Sequence, residues 1–182
     1  SARHVHLALA ALVLGGVGIG TTEFIAMGLL PETTSDLGVS IPAGGASIAA
    51  YALGVVVGAP TIAASVAKYP RHRVMLILAA ALTAFNALTF VMPTFELVAV
   101  SRFLAGLPHG AYFGIGALVA ADVLGPGKRA QGVAFVLTGL TLANVVGVPV
   151  GTGLGQQFGQ GGIAAIPTDS SYALVCRLDD KA

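Results

Sequence analysis

Residues 5–30 read VHLALAALVLGGVGIGTTEFIAMGLL, an apolar run whose one fully charged side chain is Glu23. A helix needs roughly 20 apolar residues to cross a hydrocarbon core about 30 Å thick, and this run exceeds that length. The basic start at Arg3 resembles a signal peptide, but the run is too long for a signal-peptide core. The sequence therefore predicts a retained membrane-spanning helix at residues 5–30.

Four further apolar runs follow the first one. Only 9% of the residues are charged and the mean hydropathy is +0.88, so the chain has too little polar surface to cover a water-soluble globule. We expect an all-α membrane bundle surrounded by the lipid bilayer, with Pro31 ending the first helix. The five predicted spanning helices are about 5–30, 43–67, 74–92, 97–121 and 131–154.

Basic residues alternate between the polar joints that separate these runs. Lys and Arg occur at the N-terminus, in the second joint and in the fourth joint, whereas the first and third joints carry only acidic charges. Because positively charged loops stay in the cytoplasm, the N-terminus is predicted to be cytoplasmic and the C-terminal tail to emerge outside. The predicted location is the bacterial cytoplasmic membrane.

Composition also argues against several classes of partner and site. The formal net charge is +1 and the basic residues are scattered, so no nucleic-acid partner is expected. Cys176 is the single cysteine, which excludes an internal disulfide and a thiolate metal cluster within one chain. We predict no metal and no cofactor.

Glycines recur every four residues on four of the predicted helices. Such spacing gives a smooth helix face that a neighbouring backbone can approach closely. We interpret these faces as helix contacts and not as nucleotide-binding loops, because the last set follows an apolar helix and not a strand. The sets are Gly16 and Gly20; Gly54 and Gly58; Gly106, Gly110 and Gly114; and Gly147, Gly151 and Gly155.

Glu23 and Arg102 are the residues of unambiguous charge inside the apolar spans. Placing such a charge at mid-helix costs about 2.5 to 3.5 kcal/mol for arginine, and residues of this kind are usually functional. By helix rise, both lie roughly 8 to 10 Å below the outer ends of their helices. We hypothesise that they face one water-filled cavity in which the carboxylate exchanges a proton and the arginine tunes that exchange. A static ion pair and snorkelling to the outer interface are the alternatives.

Other polar residues in the spans are candidates for proton or solute contacts. His109 fits a proton relay and a helix-to-helix hydrogen bond equally well. Pro149 is expected to kink or loosen the fifth helix. The candidates for the solute cavity, each of which could instead satisfy backbone groups, are Thr21, Thr22, Asn86, Tyr112 and Asn144.

Three collinear motifs resemble the major facilitator superfamily, and more narrowly its bacterial drug:proton antiporter group of arabinose-efflux and chloramphenicol-resistance permeases. They cover nearly all of residues 3–159 and read GTTEFIAMGLLPETTSDLGVS at 20–40, SRFLAGLPHGAYFGIGALVAADV at 101–123 and GVPVGTGLGQQFG at 147–159.

The resemblance implies roles for particular residues. Arg102 and Gly106 would belong to a fourth-helix proton-coupling motif, and Glu23 would be the first-helix acid. The fifth-helix antiporter motif would comprise Gly139, Gly147, Pro149 and Gly151. In the cytoplasmic loop, Lys68 and Arg71 match the family, but Ala67 and Pro70 replace the usual aspartate and glycine. That departure puts the usual charge latch of this loop in doubt.

The composition changes after Gly159, and residues 160–182 form a separate tail. Strands are predicted at 163–166 and 172–176 around a turn at Pro167. The string GGIAAIPTDSSYALVCRLDDKA resembles the start of the YrdC/YciO family, which includes threonylcarbamoyl-adenylate synthases. Its later motifs are absent, so no synthase activity is expected, and a truncated or joined reading frame would explain the juxtaposition.

The predicted function is membrane transport. Family members have twelve helices in two bundles with the solute site between them, so five spans are expected to need a second half and to be inactive alone. The whole would be a proton-coupled permease that exports small amphipathic solutes such as drugs or sugars. The alternative is a non-transporting membrane fragment with an interaction role. An enzyme is not predicted, since a catalytic set of nucleophile, base and orienting acid cannot be assembled from the residues of the tail.

Overall fold

The structure, a computed structural model, describes residues 2–157, 163–168 and 171–176. Five of its helical segments are long and apolar enough to cross a membrane, as the sequence predicted. The protein is therefore a multi-pass membrane protein built as a partial helix bundle. Its helices are α1 (Ala2–Gly28), α2 (Leu30–Asp36), α3 (Ile41–Val66), α4 (Arg71–Phe90), α5 (Phe95–Leu124), α6 (Arg129–Leu142), a π-helical turn (Ala143–Gly147) and α7 (Val148–Gln157).

The first joint contains a short helix that the sequence did not suggest. The expectation that Pro31 ends the first helix is wrong, because α1 already ends at Gly28 and Pro31 lies in the first turn of α2. Proline is tolerated there because the first amides of a helix have no partner inside the helix. The buried Thr34 of α2 packs against Gly44, so this short helix covers the start of α3.

Local signals set the ends of the spanning helices. Ser40 caps α3, since its Oγ accepts a hydrogen bond from the amide of Ala43 at 3.3 Å. Gly125 ends α5 with φ at 99°, a backbone conformation that favours glycine, and its amide donates to the carbonyl of Ala121. The predicted ends of the spanning helices lie within a few residues of the observed ends, because such local signals can be read from the sequence.

Helix packing follows the glycine faces. Gly54 of α3 meets Gly106 of α5, and a side chain added at either position would collide with backbone of the other helix. Gly16 of α1 meets Gly139 of α6 in the same manner. Gly114 departs from the prediction, because it is exposed and no atom of the described neighbouring helices lies within 4 Å of the position a Cβ would take.

Apolar side chains fill the remaining space between the helices. One cluster joins Leu78 and Leu82 of α4 to Ile115 of α5, and a second joins Leu12 of α1 to Val136 of α6. Large apolar side chains also point outward along the spans, as the 70% exposure of Leu76 illustrates. In a bilayer these outward side chains contact lipid.

The fifth span is interrupted by the π-helical turn. The amide of Val148 donates to the carbonyl of Ala143, five residues earlier, instead of four as in an α-helix. Pro149 follows directly and has no amide proton to continue the regular pattern. The expectation that Pro149 loosens this helix is therefore confirmed.

The tail contains a β-hairpin. Strand β1 (Ile163–Thr168) pairs antiparallel with β2 (Ser171–Cys176), with Ile163 opposite Cys176 and Thr168 opposite Ser171. The predicted strands are thus confirmed, but the turn predicted at Pro167 is wrong, because Pro167 lies inside β1 opposite Tyr172. The domain boundary at 159/160 and the resemblance of the tail to the YrdC/YciO family stay predictions. The remaining tail residues lie outside the described ranges.

Gly106 and Gly114 provide a matched test of the packing on one helix. We expect Gly106→Ala to lower the free energy of unfolding by about 1 to 3 kcal/mol, because its methyl group would collide with the backbone of α3. Gly114→Ala should change it by less than about 1 kcal/mol and in the stabilising direction, because alanine favours helix and meets no neighbour. Unfolding in mixed micelles measures both values, and equal effects would contradict the packing described.

Candidate functional site

Arg102 is buried within the apolar part of α5. Its side chain is 6% exposed, and its Nη1 donates to Oδ1 of Asn86 on α4 at 3.3 Å. Its guanidinium carbon lies over the ring of Tyr51 on α3, 4.3 Å from the ring centroid. A cation over an aromatic face is favourable, most of all where water is excluded. Three helices therefore meet around this one charge.

His109 shares this environment. It lies two turns after Arg102 on α5, so the two side chains project from the same face of that helix. Its Nδ1 forms a hydrogen bond of 2.7 Å with the hydroxyl of Tyr51, and Phe113 packs against its ring. The helix-to-helix hydrogen bond considered for His109 is therefore present, and its role as a proton relay stays a prediction.

Glu23 approaches the same region from α1. Its side chain is half-buried, and the positive charge of Arg102 acts on the carboxylate. The shared cavity, the static ion pair and snorkelling to the outer interface all stay predictions for Glu23 and Arg102.

The solute-cavity candidates fall into different surroundings. Asn86 is 2% exposed and donates Nδ2 to the carbonyl of Leu82, which leaves its Oδ1 to accept from Arg102. Thr22 is buried and donates to the carbonyl of Gly18 in its own helix at 3.1 Å. The buried Tyr112 places its hydroxyl against Gly15 of α1.

Asn144 differs from the other cavity candidates. It is exposed on the fifth span, and its Nδ2 donates to the carbonyl of Leu140 at 3.0 Å. The structure brings Arg102, Asn86 and His109 together but places Asn144 away from them, on the outer surface of the described bundle.

The fifth-helix motif forms a contact surface for α1. Gly139 meets backbone at Gly16, Gly147 lies against Thr21, and Gly151 lies against Ile25. A side chain at any of the three glycines would collide with α1. Pro149 is exposed and lies between two of these contacts, two residues after the end of the π-helical turn.

Comparison with known proteins agrees with this architecture. Residues 12–171 match the Major Facilitator Superfamily. The chain belongs to the major facilitator superfamily. It is 43% identical to AraJ of Escherichia coli (strain K12) over 148 residues, which are 81% of this chain and 38% of that relative.

Two further relatives give the same picture. The chain is 45% identical to the inner membrane transport protein YdhP of Escherichia coli (strain K12) over 155 residues, 85% of this chain and 40% of YdhP. It is 33% identical to the chloramphenicol resistance protein of Streptomyces lividans over 153 residues, 84% of this chain and 39% of that protein. This major facilitator chain thus spans about two-fifths of the length of the curated relatives it matches.

The joint between α3 and α4 of this family member carries a charge contact that the sequence did not reveal. Arg71 at the start of α4 forms a salt bridge with Asp122 near the end of α5, and both side chains are largely exposed. Lys68 instead lies over the ring of Tyr69, 5.4 Å from its centroid. The loop is thus linked to α5 through Asp122, although Ala67 replaces the aspartate that the family commonly has. An exposed pair of this kind stabilises weakly, by about 0 to 1 kcal/mol.

Tyr51 is the other residue that sequence reasoning missed. It belongs to none of the three motifs, and its signal is faint: a tyrosine three residues before Gly54 on an otherwise apolar span.

Within the described ranges, no group of three or more His, Cys, Asp or Glu side chains is placed to hold a metal ion.

Asn86 and Asn144 allow a matched test of the arginine contact. Both donate Nδ2 to a carbonyl four residues earlier, but Asn86 also accepts from Arg102. Because hydrogen bonds to charged groups are worth about 1.5 to 3 kcal/mol, Asn86→Leu should lower the free energy of unfolding by that amount. Asn144→Leu should change it by less than about 0.5 kcal/mol. Unfolding in mixed micelles tests both, and a similar loss in the two variants would argue against the contact.

Proposed function

We propose that this chain forms the N-terminal helix bundle of a proton-coupled permease that exports small amphipathic solutes. The observation that carries the proposal is the buried guanidinium of Arg102, held by Asn86 and Tyr51. A charge inside a membrane span is costly and is usually kept for ion or solute movement.

Proton coupling follows from the interaction of Glu23 with Arg102. When Glu23 is ionised, the two opposite charges attract each other across the space between α1 and α5. When Glu23 takes a proton, that attraction is lost and α1 is less strongly held toward α5. Protonation would thus bias two arrangements of the helices, which is the requirement for coupling proton flow to solute flow.

The solute would contact the polar groups beside this site. The candidates are Asn86, Thr22 and Tyr112, which are buried between the described helices, and Asn144, whose exposed side chain is available to a cavity that a second bundle would complete. Export of drug-like solutes is supported by the similarity to a relative named as a chloramphenicol resistance protein. A second helix bundle, supplied by further chain or by another polypeptide, would complete the cavity between the two halves.

The proposed orientation places the N-terminus in the cytoplasm. The exposed basic residues Lys68 and Arg71 lie in the second joint and Lys128 in the fourth, whereas Glu96 lies in the third joint on the opposite side of the bundle. Positively charged loops favour the cytoplasmic side, which supports this assignment.

Glu23→Gln tests the proton coupling. The variant should lose the stimulation of transport by an imposed pH gradient, because an amide cannot exchange the proton. Solute flux is measured in everted vesicles that contain the chain together with a second-half bundle from a relative. Glu96→Gln, which removes an exposed acid in the first turn of α5, should retain the stimulation. Unchanged stimulation in Glu23→Gln would refute the coupling role, and flux in neither variant nor parent would favour the non-transporting alternative.

Cysteine labelling tests the orientation. In a Cys176→Ser background, Glu96→Cys should react with a membrane-impermeant maleimide added to intact cells, because the third joint is proposed to lie outside. Lys128→Cys should react only after the membrane is opened. The opposite labelling pattern would invert the proposed orientation.

A further inference from the structure

We propose that Tyr51 is the positioning residue that holds Arg102 and His109 in one geometry and sets the tautomer of His109. Tyr51 is 3% exposed and is the side chain of α3 that contacts both residues. Its ring carries the guanidinium of Arg102 on one face, while its hydroxyl pairs with Nδ1 of His109.

The glycine contact between α3 and α5 creates this arrangement. Gly106 lies four residues after Arg102 and three before His109, on the same face of α5. A Cβ at Gly106 would collide with the carbonyl oxygen of Tyr51, so only glycine lets the backbone of α3 approach at this point. The close approach places the ring of Tyr51 between the two α5 side chains, within reach of both.

The charge of Arg102 determines the direction of the hydrogen bond. A cation 4.3 Å from the ring centroid stabilises the negative charge that develops on the phenolic oxygen when its proton is shared. The same cation makes that oxygen a poorer acceptor. The hydroxyl of Tyr51 therefore donates to Nδ1 of His109, and the neutral imidazole carries its proton on Nε2.

This tautomer has a consequence for proton traffic, which rests on the proposed function. A protonated imidazole has hydrogen on both nitrogens, so Nδ1 must then donate and Tyr51 must turn from donor to acceptor. This change from donor to acceptor takes place beside Arg102, whose charge also acts on Glu23 of α1. The hydrogen-bond role of Tyr51 thus depends on the protonation state of His109 and changes in contact with the guanidinium.

Nitrogen-15 NMR of histidine-labelled chain in lipid nanodiscs tests the tautomer directly, because protonated and unprotonated ring nitrogens have distinct chemical shifts. His109→Gln identifies the signals of His109 among the four histidines. At a pH where His109 is neutral, we expect Nε2 to carry the proton. A proton on Nδ1 in the unsubstituted chain would overturn the proposal, whatever any variant does.

Tyr51→Phe keeps the ring under Arg102 and removes the hydroxyl. A hydrogen bond of ordinary net strength biases the tautomers about fivefold, so both should become visible in this variant. Tyr69→Phe, which alters an exposed loop residue, should leave the His109 signals unchanged. Unchanged His109 signals in Tyr51→Phe would also overturn the proposal.

A double-substitution cycle separates positioning from general damage. If Tyr51 acts through His109, Tyr51→Phe should change the unfolding equilibrium several-fold in the parent chain and little in the His109→Gln background. Equal changes in both backgrounds would refute the link. None of these measurements requires transport, so they can succeed even if the flux assay of Glu23→Gln fails, and the reverse also holds.

Discussion

Lipid offers no hydrogen-bond partner to side chains inside this bundle, so each polar group has to find one within the protein. Most of the hydroxyl groups do so locally: Thr22, Thr83 and Thr138 each donate to a carbonyl four residues earlier in their own helix. Such residues are polar in sequence but add nothing between helices. The polar residues that shape the bundle are those that bond across it.

The cross-helix bonds described here converge on α5. Arg102 reaches Asn86 of α4, His109 reaches Tyr51 of α3, and Ser101 donates to Thr89 of α4 at 3.0 Å. Between α3 and α5, glycine contacts bring the two backbones close at the place where Tyr51 and His109 form their bond. Packing and polar contacts therefore depend on each other, since the space that Gly106 leaves empty is what admits the backbone of Tyr51.

The sequence alone predicted the parts of this structure that depend on composition along one helix. Five spans, the strands of the tail and the disturbed helix at Pro149 all follow from local hydropathy or backbone chemistry. It could not predict which side chains meet between helices, because that depends on the rotation of each helix about its axis. Tyr51 was missed for this reason, and Asp122 was missed because its partner Arg71 is far away in the chain.

Helix rotation also decides which of the predicted residues meet the described neighbouring helices. Asn144 and Gly114 carry the residue types expected of a cavity and of a contact face, yet both point away from the described neighbours. Short irregular elements could not be predicted from the sequence either. Helix α2 occupies a joint whose residues carry no strong periodicity, and it forms because Pro31 suits a first helical turn.

The π-helical turn corrects the phase of the fifth span. Gly151 lies twelve residues after Gly139, which in an uninterrupted α-helix would rotate it about 120° away from the line of Gly139. The additional residue in the wider turn absorbs roughly 100° of that rotation. Both glycines consequently face α1. One irregular turn thus keeps the glycine face of the fifth span in contact with α1 over a greater length than a regular α-helix would.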